Sequence, residues 1–300
     1  DGGETFTTSP EMLYAHHFGG SQDPCLLHLN DGSLLCFSYG WAPLTDSEMK
    51  AQPNNLKVGN FGFLGGYLLA SNDKGHTWDG PIYPAALPSN QTVNAYGEPL
   101  AAYNRGALVQ LADGTILWAV ARHDQLSPFK SSVQLMRSND RGRTWQAGPD
   151  IASDEKISFN ETSLIQAANG DIIAFLRTVD KDMKAAMARS RDGGKTFEPW
   201  EWTEWSGLPL QAIRLRDDRL LVVYGYRQKP YGVRARLLSP DASDVKTAPE
   251  LIIREDGKSP DLGYPWAVEL ADGNVLVVYY MDNGDGTRHI AGSWLAVDRK

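Results

Sequence analysis

Residues 138–145 read Ser-Asn-Asp-Arg-Gly-Arg-Thr-Trp, and the chain repeats this pattern. Residues 71–78 read Ser-Asn-Asp-Lys-Gly-His-Thr-Trp, and residues 190–197 read Ser-Arg-Asp-Gly-Gly-Lys-Thr-Phe. The first six residues match the end of the same pattern, and residues 239–241 are a worn copy. Between apolar runs the pattern predicts a hairpin loop, in which the Asp carboxylate accepts backbone hydrogen bonds and the Gly supplies a positive φ. Its recurrence along one chain predicts a repeat architecture.

A second repeat alternates with the first. It consists of an apolar run, a short polar turn and another apolar run, and Asp-Gly or Asn-Gly turns in this setting are strong hairpin signals. The runs are almost entirely apolar, which is typical of strands covered on both faces. Each unit therefore reads as strand, turn, strand, loop, strand, Asp pattern, strand, which is one four-stranded propeller blade. The turns begin at Asp31, Asp113, Asn169, Asp217 and Asp272.

The repeats predict an all-β fold, a single β-propeller domain over residues 1–300 with five visible blades. No segment shows a helical period. Residues 1–8 either close the ring as the fourth strand of the last blade, or a first blade is missing from this chain before Asp1. We favour the second arrangement, six blades in the parent protein, because a pattern copy at the start requires a strand before it. The predicted outer strand is residues 1–8 and the blades are approximately residues 22–84, 103–151, 159–203, 208–254 and 262–297.

Composition narrows the function classes. The net charge of −8 and the lack of a basic block argue against nucleic acid as a partner. No apolar run reaches the roughly 18 residues that a transmembrane helix requires. The sequence predicts no metal site and no cofactor, and it leaves the oligomeric state and the compartment open, whether secreted, periplasmic or cytoplasmic. The two cysteines, Cys25 and Cys36, are predicted to be buried free thiols.

Candidate binding residues fall on the loops opposite the Asp patterns, at strand ends that converge on a propeller channel. Several arginines, carboxylates and tyrosines aimed at one place favour an anionic, polyhydroxylated ligand. The candidates for substrate binding are Asp23, Arg105, Arg177, Arg227 and Arg234.

The repeated pattern resembles the Asp box, or BNR repeat, of the sialidase (neuraminidase) superfamily, and most of the chain is similar to bacterial sialidase-like proteins. That resemblance implies a six-bladed β-propeller. Residues 159–164, Phe-Asn-Glu-Thr-Ser-Leu, and residues 174–177, Ala-Phe-Leu-Arg, are similar to the segment that carries a catalytic Glu and one arginine of the substrate-binding triad. The resemblance assigns those roles to Glu161 and Arg177. Residues 262–265, Leu-Gly-Tyr-Pro, are similar to the segment of the nucleophilic tyrosine, which assigns that role to Tyr264.

Two parts of the family pattern stay open. Another arginine of the triad is either Arg227 or Arg234. The first arginine and the acid Asp of the family have no match, because the first visible blade begins Gln-Asp-Pro-Cys without an arginine. Asp23 and Asp46 are possible acids, and their spacing selects neither.

The resemblance implies an exo-glycosidase that hydrolyses a terminal acidic sugar, sialic acid or a similar one, from a glycan or glycoconjugate. A tyrosine nucleophile activated by Glu suits such a sugar, because the substrate carboxylate would repel a carboxylate nucleophile. Arginines bind that carboxylate with two parallel hydrogen bonds. Two alternatives remain. One is a carbohydrate-processing propeller of other specificity, such as a lyase or a uronate-linked glycosidase, and the other is a glycan-binding propeller without catalysis.

Overall fold

The computed structural model describes residues 2–7, 9–52, 54–179 and 182–297. The chain folds into two compact units. The N-terminal unit is Glu11–Glu161, and the C-terminal unit is Asp1–Pro10 together with Thr162–Lys300. Regular structure in the described residues is almost all β-strand, arranged in five antiparallel sheets. The all-β prediction is therefore confirmed.

Sheet 1 and sheet 2 carry the N-terminal unit. Sheet 1 has the strand order β1-β2-β4-β3, with β5 paired to β4, and sheet 2 has the order β6-β7-β8-β9. Aromatic residues fill the space between them, since the ring of Phe37 lies 5.0 Å from that of Trp118 and 6.0 Å from that of Trp145. The strands are β1 Gly20–His28, β2 Leu34–Pro43, β3 Lys57–Val58, β4 Phe61–Ser71, β5 Asp79–Ile82, β6 Val109–Gln110, β7 Ile116–Leu126, β8 Phe129–Ser138 and β9 Gln146–Ala152.

One short helix, α1, spans Asp46–Ala51 between β2 and β3. The sequence predicted no helix, and that prediction is wrong at this point. A capping box explains the exception, because the Thr45 side chain accepts from the backbone of Glu48 and the Glu48 side chain accepts from the backbone of Thr45. Among the described residues, no helix is long and apolar enough to cross a membrane.

Sheets 3, 4 and 5 carry the C-terminal unit, with β10 of sheet 3 beginning three residues before the unit boundary. Strands pair in chain order within each sheet. Large side chains such as Phe175 and Tyr224 are fully buried in one core cluster, and Val277 is fully buried in another. The strands are β10 Phe159–Gln166, β11 Ile172–Thr178, β12 Lys184–Ser190, β13 Glu201–Ser206, β14 Leu210–Arg214, β15 Leu220–Tyr226, β16 Gly232–Leu238, β17 Glu250–Arg254, β18 Gly263–Glu269, β19 Val275–Asp282 and β20 Arg288–Leu295.

The outer strand predicted for residues 1–8 is wrong for the part that the structure describes. Residues 2–7 form turns and irregular chain, while residues 1 and 8 lie outside the described residues. Gly2 and Gly3 have φ values of 70° and 81°, which curl the segment instead of extending it. The Gly2 carbonyl accepts a hydrogen bond of 3.2 Å from Trp294, so this segment packs on the three-stranded sheet 5.

The repeated Asp pattern forms the predicted hairpin loop. Asp73 accepts hydrogen bonds from the backbone N–H and the hydroxyl of Thr77 at 2.8 Å and 2.6 Å, and Ser71 accepts from the Gly75 N–H at 2.8 Å. The bond from the Thr77 hydroxyl is the largest cause that lowers the pKa of Asp73 to about 2. Asp140 and Asp192 make the same contacts in their copies.

Both cysteines are free and buried, as predicted. The register pairs Cys25 with Phe37 and Leu26 with Cys36, so the two thiols lie on opposite faces of sheet 1. Burial raises the pKa of Cys25 to about 12 and that of Cys36 to about 11, and neither is a reactive thiolate at neutral pH.

Candidate functional site

Tyr264 lies at the start of β18 in an unusual backbone conformation. Its φ is 49°, in the left-handed region, and the pairing of β18 with β19 shifts register between Gly263 and Trp266. Gly263 has a φ of 107°, and a Cβ there would lie 2.8 Å from the Cα of Gly225. The glycine lets the chain pass close to β15, and the bulge then turns the Tyr264 side chain out of the regular alternation of the strand.

Two of the predicted arginines converge on Tyr264. Nη1 of Arg177, near the end of β11, donates to the Tyr264 hydroxyl at 3.2 Å. The Arg227 guanidinium, just after β15, lies 5.3 Å from the centre of the Tyr264 ring. Its Nε donates to the Leu262 carbonyl at 3.0 Å, which ties it to the segment that leads into β18. The C-terminal unit therefore places a half-buried phenol beside two positive charges.

A second tyrosine and a carboxylate support this group. Nη2 of Arg227 donates to the Tyr280 hydroxyl at 3.2 Å, and that hydroxyl donates to Asp261 at 2.6 Å. Arg288 pairs with the same carboxylate at 2.7 Å. The bond from Tyr280, followed by Arg288, lowers the pKa of Asp261, so the carboxylate is ionised at neutral pH. We call Arg177, Arg227, Asp261, Tyr264 and Tyr280 the Tyr264 cluster. The sequence placed Asp261 and Tyr280 among the polar residues expected at the channel mouth but assigned neither of them a specific role.

Arg234 lies elsewhere in the same unit. It is in the middle of β16 with only 2% of its surface exposed. Its guanidinium lies 3.6 Å from Glu250 and 4.8 Å from the centre of the Tyr226 ring, and it donates to the Arg254 carbonyl at 3.1 Å. Of the two arginines that the sequence left open, the geometry brings Arg227 to Tyr264, while Arg234 holds sheet 4 together.

Asp23 lies in β1 of the N-terminal unit in a similar conformation. Its φ is 52°, and the pairing of β1 with β2 shifts register between Gln22 and Cys25. The Tyr39 hydroxyl donates to Oδ2 of the half-buried Asp23 carboxylate. Gln22 accepts a 2.7 Å hydrogen bond from the Trp41 indole, so β2 orients both polar side chains of the bulge.

Aromatic rings connect the surroundings of Asp23 with a buried histidine. The rings of Tyr39 and Tyr103 are 5.4 Å apart, and the Tyr103 hydroxyl lies 2.7 Å from Nε2 of His123. Nδ1 of His123 lies 2.7 Å from the Thr92 hydroxyl. Burial lowers the pKa of His123 to about 4, so the ring is neutral near neutral pH. Burial, and then the nearby charge of Glu161, raises the pKa of Tyr103, which stays a neutral phenol.

Glu161 and Arg105 complete the predicted residues of this unit. Glu161 is half-buried in β10, and its backbone N–H donates to the Asn160 side chain at 2.7 Å. Arg105 is only 3% exposed, and its charge acts on the buried Cys25 thiol. The N-terminal unit thus contributes two half-buried carboxylates, which suit proton transfer, and one buried arginine.

Asp46 is in the first turn of α1, where its charge suits the helix N-terminus. Among the described residues, no group of three or more His, Cys, Asp or Glu is placed to hold a metal ion.

Comparison with known proteins shows the family. Residues 6–277 match the family model described as a BNR repeat-like domain. A search of curated proteins found no match. A solved protein of unknown function from Dyadobacter fermentans is 50% identical, with 98% of this chain and 81% of that chain covered and a TM-score of 0.95.

Two more distant structures are glycosidases. The NanB sialidase from Streptococcus pneumoniae is 13% identical, covering 91% of this chain and 55% of that one, with a TM-score of 0.62. The α-L-arabinofuranosidase Arb93A from Fusarium graminearum is 17% identical, covering 92% and 80%, with a TM-score of 0.59. The chain thus spans about half the length of the sialidase that it matches. These structural matches confirm the fold class predicted from the repeats, an all-β propeller, and the family model identifies its repeats as BNR-like.

Proposed function

The chain belongs to the family of BNR repeat-like domains, and from that premise we propose that it is a glycoside hydrolase that removes a terminal acidic sugar from a glycan. Sialic acid or a close relative is the proposed sugar. The observation that carries the proposal is the convergence of Arg177 and Arg227 on the Tyr264 phenol. Two guanidinium groups beside one phenol suit an anionic substrate and a phenolate nucleophile.

The chemistry follows from those charges. A guanidinium binds a carboxylate through two parallel N–H···O bonds, which fixes both the position and the orientation of the sugar. The phenol oxygen then attacks the anomeric carbon as the bond to the leaving oxygen breaks. The neighbouring positive charges stabilise the phenolate that forms as the phenol loses its proton, and this charge is neutralised when the oxygen bonds to the sugar. A tyrosine serves here because the carboxylate of the sugar would repel a carboxylate nucleophile.

We propose that carboxylates act as the general base and the general acid of the reaction. The resemblance assigns to Glu161 the base that accepts the phenol proton, and that role stays part of the proposal. A general acid must protonate the leaving oxygen, and a half-buried carboxylate is suited to it. Asp23 and Arg105 stay proposed as substrate-binding residues, with Asp23 also a candidate for the acid. Tyr280 and Asp261 act as positioning residues, since they hold the Arg227 guanidinium through the Tyr280 hydroxyl.

The test is hydrolysis of an aryl α-sialoside by the full chain. We expect release of the aryl alcohol, and a loss of turnover of about 1000-fold in Tyr264→Phe, which removes the attacking oxygen. A similar loss is expected in Glu161→Gln. The matched control is Tyr279→Phe. Tyr279 lies in β19 outside the Tyr264 cluster, and its hydroxyl bonds that of Ser293 at 2.6 Å. Equal turnover in Tyr264→Phe and Tyr279→Phe would remove the proposal.

A glycosidase for a neutral furanose is a second candidate. The chain covers 80% of the arabinofuranosidase but only 55% of the sialidase, at similar TM-scores. Turnover of an aryl arabinofuranoside that survives Tyr264→Phe would favour this candidate. An unsaturated product with new ultraviolet absorbance would indicate a lyase. Saturable glycan binding without turnover would indicate a binding protein.

A further inference from the structure

The N-terminal unit has an open pocket that the proposed chemistry does not use. Its volume is about 600 Å³. One wall is the segment before β1, residues 14–18, and the other is the connection between β5 and β6, residues 83–101. Pockets of this size accommodate small ligands such as one or two sugar rings.

Aromatic rings dominate the lining and stand at steep angles to one another. Phe18 and Tyr96 make an edge-to-face contact, with ring centres 5.8 Å apart and an interplanar angle of 71°, and Tyr14 and His16 make another at 6.2 Å and 87°. Phe18, Tyr83 and Tyr96 are 64%, 58% and 47% exposed. Exposed aromatic rings gathered in one concavity are typical of a binding site, because leaving them in water is unfavourable.

The polar lining is organised by a tight loop. The side-chain oxygen of Asn94 accepts from the backbone N–H of Tyr96 at 2.9 Å and of Glu98 at 3.0 Å, and its amide donates to the Glu98 carboxylate at 3.0 Å. These bonds hold Tyr96 in place and present an amide and a carboxylate to the pocket. Both groups can bond sugar hydroxyls.

The charge of the pocket argues against an acidic ligand. Glu98 is the only carboxylate among the described residues that line it, and none of those residues is Lys or Arg. Burial, and then His17, lowers the pKa of His16, so that ring is neutral near neutral pH. A carboxylated sugar would be repelled by Glu98 and would find no guanidinium, in contrast to the Tyr264 cluster.

The pocket lies at the end of sheet 1 that carries Asp23. Leu64, which lines it, lies near the start of β4, and a Cβ on Gly40 near the end of β2 would lie 3.6 Å from the His16 ring. In the antiparallel sheet, the end of β2 and the start of β4 lie beside the start of β1, where Asp23 is. A glycan bound near Asp23 and a sugar in the pocket would therefore lie at the same end of the unit.

We propose that this pocket binds a neutral sugar residue, whose apolar C–H groups pack against Phe18 and Tyr96 while its hydroxyls bond Asn94 and Glu98. The choice of a sugar rests on the proposed function. It extends that function by naming a neutral sugar unit as the second part of the glycan that the protein recognises.

The first experiment is binding alone, by saturation-transfer difference NMR and calorimetry with lactose, sialic acid and tetramethylammonium as probes. We expect saturable binding of lactose, weakened about tenfold or more in Phe18→Ala and in Tyr96→Ala. Phe61→Ala is the matched control, because Phe61 is an exposed aromatic residue of β4 outside the pocket. Binding of tetramethylammonium in place of lactose, or lactose binding that both pocket variants retain, would overturn the proposal.

The second experiment separates this proposal from the enzymatic one. Tyr96→Ala should raise the KM for sialyllactose about tenfold while leaving hydrolysis of an aryl sialoside, which lacks the neutral sugar, unchanged. Lactose binding that depends on Phe18 and Tyr96, in a protein without hydrolytic activity, would contradict the enzymatic proposal and support the neutral-sugar pocket. Hydrolysis without lactose binding would support the enzymatic proposal and contradict the neutral-sugar pocket.

Discussion

Asp23 in sheet 1 and Tyr264 in sheet 5 lie at corresponding places in their sheets but differ in the charged groups near their side chains. Each is in the first strand of its sheet, at a shift of register, with a φ near 50° and a proline next in the chain. A residue before proline normally adopts an extended conformation, so both depart from the rule. Left-handed backbone at a non-glycine residue costs about 1–3 kcal/mol and concentrates at functional sites.

The partners of the two side chains are opposite in character. Asp23 is a carboxylate held by the Tyr39 phenol among aromatic rings. Tyr264 is a phenol held among guanidinium groups. One backbone conformation, repeated in two sheets, therefore presents a carboxylate in one place and a phenol in the other.

The largest effect is expected where the positive charge is removed. Arg227→Leu should lower kcat/KM on an aryl sialoside about 1000-fold, or about 4 kcal/mol, since it removes the contact with Tyr264 and leaves Tyr280 without its donor. Arg254→Leu, which breaks the pair between the half-buried Arg254 and the exposed Asp256, is the control and should stay within about twofold. A folded Arg234→Leu protein that loses more turnover than Arg227→Leu would show that Arg234, and not Arg227, is the arginine that serves the reaction.

The second test asks why the bulge at Tyr264, unlike the bulge at Asp23, is preceded by a glycine. Gly263→Ala should lower the free energy of unfolding by about 3–4 kcal/mol, because it combines a φ of 107° with a contact of 2.8 Å to the Gly225 backbone. Gly170→Ala, with a φ of 91° and open space around its Cβ position, should lose only about 1–2 kcal/mol. Denaturant unfolding measures both, and equal losses would show that the close passage of the chain is not what requires glycine. The bulge at Asp23 needs no such glycine, since Gln22 precedes it.

The third test concerns His123, the buried histidine that lies within 2.7 Å of the Tyr103 hydroxyl near Asp23. The unfolded chain takes up a proton at His123 as pH falls below the ordinary pKa of 6.5, whereas the folded protein does so only near 4. Stability is therefore present above pH 6.5 and is lost as pH falls to about 4, by about 3 kcal/mol. His123→Gln should flatten this dependence, measured by unfolding at a series of pH values. The exposed His28→Gln should not change it, and a wild-type slope in His123→Gln would contradict the assignment.

The smallest effect is expected at the hydroxyl beside Asp23. Tyr39→Phe removes one hydrogen bond and should lower stability by about 1 kcal/mol and kcat about tenfold. Tyr67→Phe, which loses a 2.6 Å bond to Ser21, is the control for stability and should leave kcat unchanged. Equal kcat values for the two variants would separate Asp23 from the reaction.

Short-range sequence accounts for the repeats and for most strands. The hydrogen bonds that hold each Asp box, such as those from Thr77 to Asp73, lie within eight residues. Its conformation can therefore be predicted from its own residues. The same holds for the Asp-Gly hairpins. The terminal segment escaped prediction because Gly2 and Gly3 turn a sequence that otherwise resembles a strand start. Helix α1 escaped because six residues are too few to show a period.

The candidate sites depend on contacts that no local pattern contains. Arg177 and Tyr264 are separated by 87 residues, and only the packing of sheets brings their atoms to 3.2 Å. Arg227 and Arg234 are both arginines of one hairpin, so sequence could not choose between them. Arg234 is enclosed by the strands around it, whereas Arg227 follows its strand and reaches Tyr264. Local hydrogen bonding specifies a loop from its own residues, while the direction and burial of a charged side chain depend on which strands fold against it.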